Sequence, residues 1–197
     1  ENFIPGSQYG YEDFINRSLI YQPILQHIIW LNFMNIIYSP IGCIHSPFTS
    51  LEGMPIQPRG AAQVEGRIEI YPPFRQGLRD LSGFSHIYVL SHLHAHSGYN
   101  LIVTPFLDTE QRGLFATRAP KRPNPIGLSV LRLQAVTEEG LVVLGVDLLD
   151  ATPVLDIKPY VPEFDVNEQC RIGWLEGRAE RADAHRSDER FSAGDGK

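Results

Sequence analysis

Apolar residues recur at alternate positions over several short stretches of this chain, and those stretches set the expected architecture. Gly66–Tyr71 runs Gly-Arg-Ile-Glu-Ile-Tyr, polar against apolar at period 2, until Pro72-Pro73 halts it. Ser129–Val136 alternates likewise, with Val130, Leu131, Leu133 and Val136 set against Arg132 and Gln134. Glu138-Glu139-Gly140 then supplies a hairpin turn into Leu141–Leu149. Ile36–His45 and Phe84–Leu93 are apolar and β-branched or aromatic enough for strands, and Val154–Ile157 adds a short one. Phe74–Leu81 reads as a short helix ended by Gly83. Many short strands with almost no strand–helix alternation predict a mainly β fold, an antiparallel barrel or sandwich.

The two ends have a different texture. Tyr11–Ile37 is rich in Ile, Leu, Phe and Trp, but Gln22, Gln26 and His27 interrupt it and Pro23 breaks any long helix. No apolar run approaches the roughly 20 residues of a spanning helix, so no membrane segment is expected. Glu12 and Asp13 spoil the pattern of a signal peptide. We read 1–33 as an N-terminal extension and 34–165 as the β domain. Residues 166–197 carry charged i,i+4 spacing and read as a peripheral, solvated helix fading into disorder at Ser192–Lys197.

Composition adds little until it is localised. Fifteen Pro and 17 Gly suit a turn-rich fold. Two cysteines, Cys43 and Cys170, are read more simply as reduced thiols in a cytoplasmic protein than as one long-range disulfide. The net charge of -6 argues against a nucleic-acid partner, yet Gln111–Ala135 holds five basic residues and no acidic one. Phosphate responds to the field within about 8–10 Å, so the local excess matters more than the total. Charge alone equally allows that patch to pair with the acidic tail.

Three segments could carry chemistry. Phe115-Ala-Thr-Arg-Ala-Pro-Lys-Arg-Pro-Asn-Pro-Ile-Gly127 is a proline-stiffened loop presenting Arg118, Lys121, Arg122 and Asn124. It is either an anion site built at low entropic cost or a surface turn with incidental charge. Asp147-Leu-Leu-Asp150-Ala-Thr-Pro-Val-Leu-Asp156-Ile-Lys-Pro-Tyr160 sets three carboxylates, a lysine and a tyrosine around a strand. Those groups either meet a substrate or form an ion pair and a turn cap. His92, His94 and His96 would share one strand face at roughly 6.5–7 Å spacing, which suits a metal-dependent hydrolase. No Asp, Glu or Cys completes that set locally, and metal is not the favoured reading. The chain also lacks G-x-G-x-x-G, a Walker loop, G-x-S-x-G and C-x-x-C, so no doubly wound nucleotide fold is expected.

Taken in order, these segments resemble the TsaA-like (YaeB/TrmO) family over roughly residues 36–164. Ile41-Gly-Cys-Ile-His-Ser-Pro-Phe48, Gln57-Pro-Arg-Gly60, Leu81-Ser-Gly-Phe-Ser-His86, Phe115-Ala-Thr-Arg118 with Arg122-Pro-Asn-Pro-Ile-Gly127, and the two aspartate segments carry the resemblance. It implies a single-sheet antiparallel β-barrel, a homodimer, and S-adenosylmethionine as cofactor. It also implies N-methylation of threonylcarbamoyladenosine beside the anticodon of tRNA. By position, the resemblance assigns Pro58, Arg59, Gly60, His94, Ala95, Arg118, Leu128, Asp147, Leu148, Leu149 and Asp150 to the cofactor. Lys121, Arg122 and Asn124 are expected to meet the substrate. Asp156 is expected to take a proton from the acceptor or orient it, with Lys158 and Tyr160 positioning it. The N-terminal extension departs from the family pattern, as does the expected lack of the larger C-terminal domain of some bacterial members. A module that binds S-adenosylmethionine or RNA without catalysis is the other alternative.

Overall fold

The computed structural model describes residues 36–191; the extension expected at 1–33 and the disorder expected at Ser192–Lys197 lie outside the described residues. The chain divides into Glu1–Tyr38 and Ser39–Lys197, and the fold that follows belongs to the second unit. Its strands are β1 (Gly42–His45), β2 (Glu65–Ile70), β3 (His86–His92), β4 (Ile102–Val103), β5 (Arg112–Gly113), β6 (Ile126–Val136), β7 (Gly140–Leu144) and β8 (Pro153–Pro159). Six of them close into a barrel in the order β1-β2-β7-β6-β3-β8, while β4 and β5 form a separate two-stranded ribbon. Every barrel pairing is antiparallel, as the alternating patterns predicted. Closure leaves no unpaired edge.

Period 2 decides which side chains face inward. In β2, Ile68 and Ile70 are buried while Arg67 and Glu69 are exposed; in β3, Ile87, Val89 and Ser91 point in and His86, Tyr88 and Leu90 point out. Ile44, Ile68, Ile70, Ile87, Val89, Leu131, Leu141, Val143 and Val154 fill the barrel, so it is a packed core and not a pore. Bulges between Leu90 and Ser91 and between Leu133 and Ala135 bend the sheet.

Strict alternation of strand direction has a consequence for the site. β1, β3 and β7 run one way and β2, β6 and β8 the other. The long connections 46–64 and 93–125, with the turn 145–152, therefore emerge at the same barrel end. The 137–139 hairpin and the 71–85 connection occupy the other.

Several expected boundaries move. The first strand begins at Gly42 and not Ile36, because Pro40 interrupts the run and Ile36–Tyr38 are exposed. β7 stops at Leu144 and not Leu149: Gly145 turns at φ 89°, although Val146 and Leu148 remain buried against the core. Phe74–Leu81 is helical only as 3-10 turns, Pro72–Leu78 and Leu81–Gly83. The tail is not one solvated helix. It forms three separate 3-10 turns, Gly173–Leu175, Ala179–Asp183 and Glu189–Phe191, because Gly173 and Gly177 take φ of 59° and 70° and break any continuous helix. Nor is it peripheral. Trp174 Nε1 donates to Ala116 O at 2.7 Å, and Ser187 Oγ donates to Leu51 O at 2.5 Å. Phe191 meets Phe106 edge-on at 5.1 Å.

Gly140 faces Glu69 across the β2–β7 pair, where an added Cβ would collide with the Ile68 carbonyl. Gly77 has nothing within 4 Å of such an atom. Gly140→Ala should therefore lose about 1–3 kcal/mol or more of stability, while Gly77→Ala stays within about 0.5 kcal/mol, as read from urea unfolding midpoints.

Candidate active site

The loops gathered at one barrel end enclose a cavity of about 820 Å³. Its walls come from the 51–59 loop, the turn after β3 at Leu93–His96, the proline-rich loop 115–122, the start of β6 and the turn 147–149. The tail covers it with Trp174, Ala182, Asp183 and Phe191. The lining is mainly apolar, with a few converging polar groups, as small-molecule sites generally are.

The 115–127 loop is stiffened by more than its prolines. Leu114 and Ala119 are buried with Val103 and Phe191 in a second apolar cluster. Thr117 Oγ1 donates to Leu114 O at 2.8 Å and accepts from Ala119 N at 3.2 Å. Arg122 Nη1 lies on three carbonyls of the same loop, Leu114 O at 3.4 Å, Thr117 O at 3.0 Å and Ala119 O at 3.3 Å. That guanidinium is therefore largely spent on building the loop. Arg118 is exposed and donates to Gln57 Oε1 at 2.8 Å across the cavity mouth.

Asp147 is the electrostatic centre. Burial pushes its carboxyl up to about 6, against a 2.8 Å hydrogen bond from Ser129 Oγ and the more distant Arg118 guanidinium, which both favour the ionised form. Arg59 Nε pairs with Asp183 Oδ2 at 2.9 Å, and the other oxygen of Asp183 is buried with no partner among the described residues. Burial also lowers the pKa of His96. Its Nδ1 lies 3.0 Å from Phe191 O, and a carbonyl only accepts, so Nδ1 carries the proton.

Residues 43–166 match the family described as the tRNA-methyltransferase O N-terminal domain. The chain belongs to this family. It is 51% identical over 156 residues to a probable S-adenosyl-L-methionine-binding protein of Pyrococcus abyssi, covering 79% of this chain and 85% of that protein. It is 38% identical over 145 residues to the mouse tRNA (adenine(37)-N6)-methyltransferase, covering 70% of this chain but only 34% of the mouse protein. The crystal structure of TrmO from Pseudomonas aeruginosa superposes with a TM-score of 0.61 at 41% identity, over 72% of this chain and 63% of that one.

Of the residues expected to hold cofactor, Arg59, His94, Ala95, Arg118, Leu128, Asp147, Leu148 and Leu149 do line the cavity. Pro58 and Gly60 lie behind it, in a 3-10 turn on which the tail rests: a Cβ on Gly60 would stand 3.0 Å from Asp183 O. Asp150 instead caps the loop after β1, accepting from Ser46 N at 3.0 Å. Of the residues expected at the substrate, Arg122 lines the cavity, whereas Lys121 and Asn124 stand outside its lining. Asp156, Lys158 and Tyr160 also lie outside. Asp156 and Lys158 flank Leu90 and Tyr88 on the outer face of the barrel, joined by a 2.7 Å ion pair. The histidine triplet does not share a face. β3 ends at His92, and His94 and His96 fall in the following turn. Among the described residues no His/Cys/Asp/Glu group is arranged to hold a metal. Cys43 and Cys170 are free thiols. No described helix is long and apolar enough to cross a membrane.

Ser129, Trp174 and Asp183 were not anticipated, and His96 was anticipated only as a metal candidate. Ser129 follows Leu128 on the inward phase of β6, so the alternation contained that signal. The tail residues left none, because nothing local says that a charged segment doubles back.

Asp147 also gives a stability prediction. Its folded pKa is raised, so the folded state binds the proton more tightly than the unfolded state does. Its cost to folding is absent below about pH 4, grows as pH rises through the window from 3.8 to about 6, and is complete above it. Asp147→Asn should therefore stabilise the ligand-free protein at pH 8 by about 1–3 kcal/mol and lose that advantage below about pH 4. Denaturation curves at both pH values check this.

Proposed function

We propose that this chain is an S-adenosylmethionine-dependent methyltransferase acting on N6 of threonylcarbamoyladenosine beside the anticodon of tRNA, in the cytoplasm and as a homodimer. The observation that carries the reading is Asp147, a half-buried carboxylate on the wall of a mainly apolar cavity, where desolvation outweighs Ser129 and Arg118 and raises its pKa. A cofactor that is both a nucleoside and a cation suits such a wall. The volume of about 820 Å³ lies inside the roughly 300–1,000 Å³ of small-molecule pockets. Leu128, Leu148 and Leu149 offer apolar wall to a purine, and Arg118 at the mouth offers a guanidinium to a carboxylate. The chain's own residues fit the group.

When bound, the cofactor supplies an electrophilic methyl on a positively charged sulfur. The protein's part is alignment and exclusion of water. His94 and Ala95 wall the cavity with the 115–122 loop, whose rigidity comes from Arg122 and Thr117, and the tail shuts out solvent. The acceptor nitrogen belongs to a urea-like group with a delocalised lone pair, so removal of its proton assists attack. We place the acceptor at the Leu128 rim. The register puts Leu128, Leu90 and Asp156 in one row across three strands, so Asp156 stands about 10 Å from Leu128 along the outer wall. An acceptor that reaches from the rim across Leu90 meets Asp156, which orients it or takes its proton, with Lys158 and Tyr160 beside it. Lys121 and Asn124, on the same loop as Arg118, are left to meet RNA.

A non-catalytic module is the second reading, because the Pyrococcus relative is named only as a binding protein. The two separate cleanly. Calorimetry should detect S-adenosylmethionine binding by the intact chain, weakened about tenfold or more in Arg118→Ala. Labelled methyl should then pass to tRNA bearing threonylcarbamoyladenosine and not to the same tRNA with plain adenosine. Equal transfer to both would remove the specific acceptor, and transfer to neither would leave the binding module.

A further inference from the structure

A second cavity, of about 550 Å³, lies on the outer wall of the barrel and shares Gln57, Arg59, Arg118 and Leu128 with the first. The register explains its chemistry. β6, β3 and β8 set three outward rows side by side: Leu128, Leu90 and Asp156 nearest the main cavity, then Val130, Tyr88 and Lys158, then Arg132 and His86 with Tyr160 beyond. Tyr160 lies edge-on to Tyr88 at 5.5 Å and to His86 at 6.3 Å, which fixes the rings on a sheet surface. Arg59, Arg118 and Arg132 line the second cavity, and its described lining contains no carboxylate. Elsewhere on this face Lys158 is neutralised by Asp156, and Asp165 lies near the Tyr88 hydroxyl.

We propose that this outer face of β6-β3-β8 is the docking platform for single-stranded RNA next to the acceptor nucleotide, with Tyr88 and Tyr160 stacking a base and Arg132 and Arg118 holding phosphates. The inference rests on the tRNA reading above and adds the surface that the RNA lies on. Sheet faces carrying aromatics between cations recognise single strands in this way, because every base has a face to stack and every nucleotide a charge. Charge complementarity selects RNA over other occupants: a chain of net charge -6 has placed Arg118 and Arg132 along one groove with no carboxylate partner among the described residues, beside Arg59, which is paired with Asp183. The groove shares Leu128 and Arg118 with the first cavity, so a nucleotide bound there has its neighbour at the rim where methyl transfer is placed.

The test uses the full chain and a fluorescein-labelled anticodon stem-loop RNA, with anisotropy read over a range of salt. Tyr88→Leu should weaken binding about tenfold. Arg132→Ala should weaken it too and lower the slope of log affinity against log salt by about 0.7. Arg67→Ala, on the opposite wall of the barrel, should change nothing, and all three variants should bind S-adenosylmethionine like the parent chain. Parent-like RNA binding by both Tyr88→Leu and Arg132→Ala would overturn the platform while leaving the tRNA reading intact. A change in sedimentation without a change in RNA affinity would overturn it as well, and make the face a contact between copies. If the parent chain binds S-adenosylmethionine but no RNA, the tRNA reading fails and takes the platform with it.

Discussion

A six-strand barrel whose inner positions are Ile, Val and Leu has no interior left for a ligand, and this one constraint places everything chemical on the loops and the outer wall. Antiparallel closure then does the sorting. With neighbouring strands alternating in direction, all the long connections that could form a site are delivered to one end. The other end keeps the 137–139 hairpin and the 71–85 connection, which is folded into 3-10 turns. The cavity is thus a product of parity as much as of any residue. The three chemical segments lie far apart in sequence and meet because each precedes or follows a strand that ends at the same rim.

Within that cavity the balance of charge is unusual, and it has a physical origin. Asp147 follows directly on Val146, which is buried against the barrel top, so its carboxylate is drawn to a mainly apolar wall beside the Ser129 hydroxyl, with the Arg118 guanidinium farther off. Burial outweighs the hydrogen bond, which is why its pKa rises. Such a group weakens the empty protein and becomes favourable once a cation sits opposite. Strain of this kind is typical of a binding site and is hard to account for as scaffolding.

The barrel was legible because it rests on short-range alternation. Ile68 and Ile70, or Ile87 and Val89, declare their inward phase within a few residues. The proline-stiffened loop and the aspartate turn were also legible as places, and most of the residues that the family resemblance assigned to the cofactor line the cavity. What escaped depended on distance along the chain. Asp156 and Lys158 share a face as their spacing predicts, but which face was invisible until the register with β3 was known. Gly60 and Asp150 belong to the same motifs as their lining neighbours yet meet the tail and the loop after β1, and Pro58 lines the second cavity. Arg122 looks in sequence like a free cation, and only the folded loop shows its guanidinium committed to carbonyls.

The tail carries the same lesson for charge. Its Glu and Asp residues look like a solvated acidic helix, the natural partner for the basic 111–135 stretch. In the fold it reaches the body through apolar anchors and two ion pairs, Arg59 with Asp183 and Arg178 with Asp108. Asp108 is almost fully buried and meets both Arg112 and Arg178, so one carboxylate there serves two guanidiniums. Arg118, Lys121, Arg122 and Arg132 meet no tail carboxylate among the described residues. Of the tail acids, Asp183 and Asp188 line the cavity and are each paired with an arginine, while Arg118 and Arg132 line the outer groove with no carboxylate partner among the described residues. At a Debye length of about 8 Å, the whole-chain sum is therefore the wrong quantity for judging an RNA partner.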